Sequence, residues 1–301
     1  MVRMTAVTGT PAPVERLAPE PTSARSRARG RVGPVTWVLL VLLLLFALGP
    51  LVLFVFSALK TQSELATSPL SFPSSLQWSN FSDAWVQANM GAGLVNSAIV
   101  VAGTVAGVCV ISGCAAYAMA RLDLPGGNGV ITYLLVTSSL PTQMFLVPLF
   151  YLWANAHLYD SLLGLVIIYW GLFSPFATLL LRSFLLGLPK ELEEAARMDG
   201  AGELRVLFRV VLPNAAPGFL TIALVTALSA YNEFLFAVTF IQDAFKLPVS
   251  TTFFTFQQGF TQDYTLIGAA GVIMVLPMLL LFLALQRRFI EGVSSSGLGG
   301  A

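Results

Sequence analysis

Six apolar runs dominate this chain, each close to the roughly 20 residues that a helix needs to cross a bilayer. They cover residues 35–56, 94–120, 130–152, 162–181, 219–240 and 265–285. None shows the alternating pattern of about ten residues that marks a membrane barrel strand. Peptide groups in hydrocarbon must find their hydrogen bonds within the segment, so all six are expected to be helices. The fold class that follows is an all-α polytopic membrane protein with six transmembrane helices. Composition agrees, because charged residues make up only 10% of the chain, against about a quarter in a soluble protein. Pro50, Pro141, Pro148, Pro175 and Pro277 lie in or beside the runs and are expected to kink them. Such prolines are tolerated where neighbouring helices satisfy the freed carbonyls.

Direction follows from the cations, which are retained on the cytoplasmic side. An even number of spans puts both termini on one side, and that side collects 14 of the 16 Lys and Arg, leaving only Lys60 and Lys246 opposite. Both termini are therefore expected in the cytoplasm. Residues 1–33 are rich in Pro, Ala, Ser, Thr and Arg, and too poor in bulky apolar residues to fold, so they read as a disordered cytoplasmic tail. Arg25, Arg27, Arg29 and Arg31 serve there as a topology anchor. The first run, at 22 residues, exceeds the roughly 7–15 of a signal-peptide core and reads as an uncleaved helix. The six-helix domain then occupies residues 34–290, and residues 291–301 form a C-terminal cytoplasmic tail. Outside the membrane, residues 57–93 have room for a short interfacial helix at 81–89, with Trp78 and Trp85 as headgroup-level anchors.

Several functions are excluded. A net charge of +1 gives no field to hold nucleic acid. Cys109 and Cys114 sit in one apolar run with neither disulfide nor zinc spacing, and His157 has no co-ligand, so no metal site is expected. None of Lys60, Lys190 and Lys246 follows a glycine, so the chain lacks a phosphate-binding loop and binds no nucleotide cofactor in the usual way.

The informative segment is the long cytoplasmic loop, residues 185–218. Pro189, the acidic Glu191, Glu193 and Glu194, and a stop at Gly200 predict a helix over residues 189–199. Ala195 and Ala196 leave one flank without bulk, and Glu193 and Arg197 are spaced to pair on the wet side. Leu204, Leu207, Phe208 and Val211 predict a second, amphipathic helix with Arg205 and Arg209 opposite, closed by Pro213 and Pro217. The loop is therefore a compact lever rather than a linker.

These residues resemble a known pattern. Glu194-Ala195-Ala196, Gly200 four residues on, Val210 and Leu212-Pro213 are similar to the EAA loop of permease subunits of binding-protein-dependent ABC importers. The string from Glu194 to Ala201 resembles the oligosaccharide branch, related to the maltose permease. Supporting likeness comes from Asn96-Ser97, from Ala115 through Leu122, from Tyr231-Asn232-Glu233-Phe234, and from Leu285 through Phe289. Val210 stands where isoleucine is frequent, and the long N-terminal tail lies outside the family core. The resemblance implies a type I importer permease in a prokaryotic plasma membrane. Its EAA loop would be a coupling helix seated on a separate ATPase, with Glu194, Ala195, Ala196, Asp199, Gly200, Leu212 and Pro213 as the coupling residues. Two cytoplasmic ATPases holding ATP and Mg, a second permease of different sequence and an extracytoplasmic solute-binding protein would complete the assembly. The binding protein would meet the outer loop of residues 241–264, where Gln257, Gln258 and Gly259 stand. The implied cargo is a di- or oligosaccharide, with a phosphate ester left open.

Glu233 is the one ionisable side chain deep in a span, at an insertion cost of about 2.5–3.5 kcal/mol, and must face protein or water. With Tyr231 and Asn232 it forms a candidate substrate path or gate; the alternative is an interhelical hydrogen bond. Tyr117, Gln143, Asn155, Tyr169 and Trp170 are weaker candidates. A secondary transporter driven by an ion gradient through Glu233 is the competing class, and an integral-membrane enzyme lacks the clustered His, Asp or Cys it would need.

Overall fold

A computed structural model describes residues 33–122, 124–252, 256 and 262–297, and among them every regular element is helical. The chain divides within its first helix into two compact units, Met1–Leu48 and Gly49–Ala301. The described part of the first unit is the apolar start of that helix, α1 (Pro34–Ala58), whose side chains there are exposed.

In the second unit α1 ends and two short helices follow, α2 (Gln62–Thr67) and α3 (Ser79–Gln87). The latter stands where a helix is expected at residues 81–89, begun two residues earlier. Lys60 is fully buried and donates to the Ser68 and Pro69 carbonyls at 2.8 and 3.1 Å, so it fastens this segment. Next come α4 (Met90–Arg121), α5 (Gly127–Ser139), a 3-10 turn at Thr142–Phe145, α6 (Leu146–Asn155) and α7 (Leu162–Leu186). The loop holds α8 (Glu191–Met198), α9 (Glu203–Val206), a π-helical turn at Leu207–Val211 and α10 (Leu212–Asn214). The chain then runs through α11 (Ala216–Asn232), α12 (Leu235–Phe240), α13 (Val249–Thr252) and α14 (Tyr264–Gly297).

Among the described residues four helices are long and apolar enough to span alone, and two bent pairs, Gly127–Ser139 with Thr142–Asn155 and Glu203–Asn214 with Ala216–Asn232, raise the number to as many as six. Hydrogen bonds between loops show that α5 with α6, and α11 with α12, run across the domain rather than turn back. Asn96, at the start of α4, donates to the Phe245 and Leu247 carbonyls after α12. The Asp160 carboxylate, between α6 and α7, accepts from the Gln242 and Asp243 amides. At the far end of α4, Arg121 donates to the Leu188 carbonyl just after α7. The two ends of α4 therefore mark two ends of the domain, and the α5–α6 and α11–α12 pairs each run from one to the other.

Two expectations need correction. The third run is not one kinked helix but two, bent by 94°. Leu140 is extended (ψ 140°), as a residue before proline prefers. The hydroxyls of Thr137, Ser138 and Ser139 donate back to the carbonyls of Tyr133, Leu134 and Leu135, the i−4 back-bonding that tends to bend a helix. The fifth run also breaks, at Glu233. By contrast Pro50, Pro175 and Pro277 lie inside continuous helices. The last helix passes the expected end of the span and continues through Gly297, so residues 291–297 of the anticipated tail are helical.

The core is built on α4 against α7. Gly103 and Gly107 form a small-xxx-small step that admits Val166 and Trp170 of α7, and Trp170 donates to the Gly103 carbonyl at 2.9 Å. Such close approach replaces the hydrophobic drive that is absent between helices in lipid.

Candidate functional site

The loop between α7 and α11 folds as two arms. α8 begins with three acidic residues near its positive end and stops in a complete Schellman motif. Gly200 takes φ +79°, its amide bonds the Arg197 carbonyl, and the Ala201 amide reaches the Ala196 carbonyl. The half-buried Ala196 and Ala201 both join the apolar cluster beneath. Asp199 is the C-cap residue of this turn.

The lower face of the loop differs from the sequence expectation. Glu193 does not pair on the wet side: it is buried, and its carboxylate accepts from Arg121 Nε at 2.6 Å, with side-chain exposures of 4% and 2%. Arg197 does make the expected i,i+4 ion pair with that carboxylate, at 3.6 Å, and also bonds Glu203 of α9 at 2.8 Å. The hydroxyl of Tyr117, one turn before Arg121, donates to the second oxygen of Glu203 at 2.7 Å. Both arms are therefore fastened to the end of α4. The Arg197 hydrogen bonds, followed by that from Tyr117, lower the Glu203 pKa from 4.5 to about 2. The carboxylate of Glu203 in turn raises the Arg197 pKa.

The second arm also turns differently. Val206, Leu207 and Val211 are the buried residues, whereas Leu204 and Phe208 are 72% and 63% exposed. The π-helical turn adds a residue to the repeat and rotates the inner face away from the expected positions. Arg205 and Arg209 are exposed as expected. Leu212 is half-buried on the same cluster and Pro213 is exposed. The outward side of the loop thus presents Leu192, Met198, Leu204 and Phe208, with Glu194, Ala195 and Asp199 among them.

The second candidate, Tyr231-Asn232-Glu233, sits at the break between α11 and α12. Glu233 caps α12: its carboxylate accepts from the Phe236 and Ala237 amides at 3.0 and 3.1 Å and from the Tyr169 hydroxyl at 2.6 Å. The Ser250 hydroxyl donates to its carbonyl at 2.7 Å. Tyr231 points the other way and donates to the Met274 carbonyl, while Asn232 is exposed and donates to its own helix at Leu228. The three residues do not converge on one point. Gln257, Gln258 and Gly259 lie outside the described residues. Among the described residues no cluster of His, Cys, Asp and Glu suits a metal.

Arg121 and Glu203 are the fastening residues that sequence reasoning missed, while Glu193 is expected from sequence on the wet side and Tyr117 only as a weak candidate for the substrate path. The available signal was positional: Glu193 shares its helical face with Ala196, a small residue fit for a packed side.

A bundle of bent membrane helices with a helical loop fastened under one end is the architecture of a transport permease. Residues 110–295 match the model of the binding-protein-dependent transport system inner membrane component, and the chain belongs to that family. It is the multi-pass permease subunit of an ABC importer, a class that works with a binding protein and an ATPase. It is 33% identical to the diacetylchitobiose uptake system permease protein NgcG of Streptomyces coelicolor over 88% of each chain. It is 32% identical to the trehalose transport system permease protein SugB of Mycobacterium tuberculosis, over 85% of this chain and 93% of that one. The fold is that of a solved bacterial ABC transporter involved in import of the acidic polysaccharide alginate, with TM-score 0.74, 22% identity, and coverage of 85% of this chain and 95% of the other. The competing ion-driven reading has no support in these relatives.

Proposed function

We propose that this chain forms the translocation path for a di- or oligosaccharide, jointly with a second permease of different sequence, in a prokaryotic plasma membrane. An extracytoplasmic binding protein delivers the sugar, and two cytoplasmic ATPases, which hold ATP and Mg, supply the work. Both termini lie in the cytoplasm, on the side of Arg121, Arg182, Lys190, Arg197, Arg205 and Arg209. The cargo assignment rests on relatives named for diacetylchitobiose and trehalose uptake.

The observation that carries the coupling role is the two-sided loop. Its lower side is locked by a buried ion pair, while Met198 is 89% exposed and Leu192, Leu204 and Phe208 are exposed too. Large apolar side chains left bare on a water-facing segment suit a protein contact. Glu194 and Asp199 supply charge at its margin, and the Gly200 turn holds its shape. Closure of two ATPases on this loop then moves the helices as rigid bodies about the membrane centre. Glu233 contributes by holding the α11–α12 break.

The test is reconstitution of the purified assembly in proteoliposomes with its binding protein and a labelled disaccharide. ATP-dependent, binding-protein-dependent accumulation is the expected result. Accumulation driven by an ion gradient without ATP would overturn the proposal.

A further inference from the structure

Helix α4 is fastened at both ends to segments far from it in sequence. At the inner end Tyr117 and Arg121, one turn apart, hold Glu203 and Glu193 on the two arms of the loop, and Arg121 also donates to the Leu188 carbonyl at 3.0 Å. At the outer end Asn96 donates to the Phe245 and Leu247 carbonyls at 2.7 and 3.2 Å, and the Ser97 hydroxyl accepts from the Val249 amide at 2.9 Å. Asn96, Ser97, Arg121 and Glu193 are all buried or nearly so. Both fastenings lie on one unbroken helix of 32 residues, about 48 Å long at 1.5 Å per residue.

The other two helices that meet the loop are worse suited to carry a push. α7 enters it through a turn at Gly187 and Leu188. α11 leaves it through a bend of 75° and is itself broken at Glu233, below the outer segment. Both connections can flex and absorb displacement. α4 has no chain connection to the loop, only side chains clamped on it, and it has no proline.

From this we infer that α4 is the rod that links the ATPase-facing loop to the outer segment of residues 245–250, and that Arg121 and Asn96 are the positioning residues at its two ends. The inference rests on the permease reading above and adds the route by which the outer face and the loop sense each other. Ser250, at the end of the outer segment, bonds the Glu233 carbonyl, so displacement there reaches the break in α11–α12 directly. A rod of this kind works in both directions, because coupling between two sites is reciprocal.

The test uses the whole assembly in proteoliposomes and measures how far loaded binding protein stimulates ATP hydrolysis over the basal rate. Arg121→Met and Asn96→Leu are each expected to cut stimulation by roughly tenfold, and Asn96→Leu, remote from the loop, to leave the bound ATPase and its basal turnover unchanged. The double variant is expected to be no worse than either single one, since a rod cut at one end is already cut. Residues so far apart normally act additively, so effects that multiply in the double variant would overturn the proposal and make both residues local struts. Wild-type stimulation in either single variant would also overturn it. Ser97→Ala replaces Asn96→Leu if the latter fails to insert. Absence of stimulation in the unaltered assembly would instead refute the permease reading on which this proposal stands.

Discussion

Replacing Glu233 separates a helix cap from a transported-proton or sugar-binding group. Its carboxylate holds three donors: the Tyr169 hydroxyl at 2.6 Å and the Phe236 and Ala237 amides at 3.0 and 3.1 Å. Glu233→Leu removes the cap, at about 1 kcal/mol, and leaves the hydroxyl of the buried Tyr169 unpaired, at about 1–3 kcal/mol more. The expected destabilisation is therefore about 2–4 kcal/mol. Glu233→Gln keeps one carbonyl oxygen and its two lone pairs, so it is expected to lose only about 1 kcal/mol. Adding Tyr169→Phe to Glu233→Leu removes the unpaired hydroxyl, and the double variant should recover about 1–2 kcal/mol of the summed single losses. The assay is thermal unfolding of the assembly in lipid nanodiscs, followed by sugar uptake in proteoliposomes. For Glu233→Gln the expected outcome is near-native uptake with an unchanged pH profile. A Gln variant that unfolds like the wild type but no longer transports would refute the cap and restore Glu233 to the substrate path.

Other positions give independent checks. Gly200 has open space where a Cβ would stand and a φ of +79°, so Gly200→Val meets backbone strain of about 1–2 kcal/mol and should lose binding-protein-stimulated ATP hydrolysis. Gly200→Asn, which tolerates that conformation, should keep it. Gly107→Ala would drive its Cβ into the Trp170 indole and is expected to cost about 1–3 kcal/mol in unfolding. Glu203 has its pKa depressed from 4.5 to about 2, so its fastening is complete above 4.5 and fades as pH falls toward about 2. Cleavage of the loop by an acid protease should therefore rise across that window, and less so in Glu203→Gln, which has no charge to lose. At the outer end the Asp243 and Gln242 amides and Lys246 hold the Asp160 pKa below the usual carboxylate range. Asp160→Ala frees those two amides and is expected to raise their hydrogen exchange.

Much of this fold is legible because hydrocarbon demands it: an apolar run of 20-odd residues has little choice but to be a helix. What the runs conceal is where a helix stops inside the membrane. Pro141 is visible, but nothing in the run separates a kink from the 94° bend found beside it, where three hydroxyls also bond back within the preceding turn. No proline marks the break at Glu233, where a carboxylate takes over the freed amides. In the loop, α8 and its glycine stop follow from local rules, since caps and terminal charges act within a turn. The burial of Glu193 does not, because its partner Arg121 lies 72 positions away and an exposed Glu193–Arg197 pair satisfies the same spacing. The rotation of the second arm depends on a π-helical turn that apolar periodicity does not encode.

The outer face of the loop is proposed to seat a separate ATPase. A photoreactive amino acid placed at Met198, the most exposed large apolar residue of the loop, tests it in the intact assembly. Illumination should yield one covalent product, of this chain with a nucleotide-binding subunit, and substitution at the buried Val206 should yield none. An assembly that retains its ATPase yet gives no such product from Met198 would contradict the account.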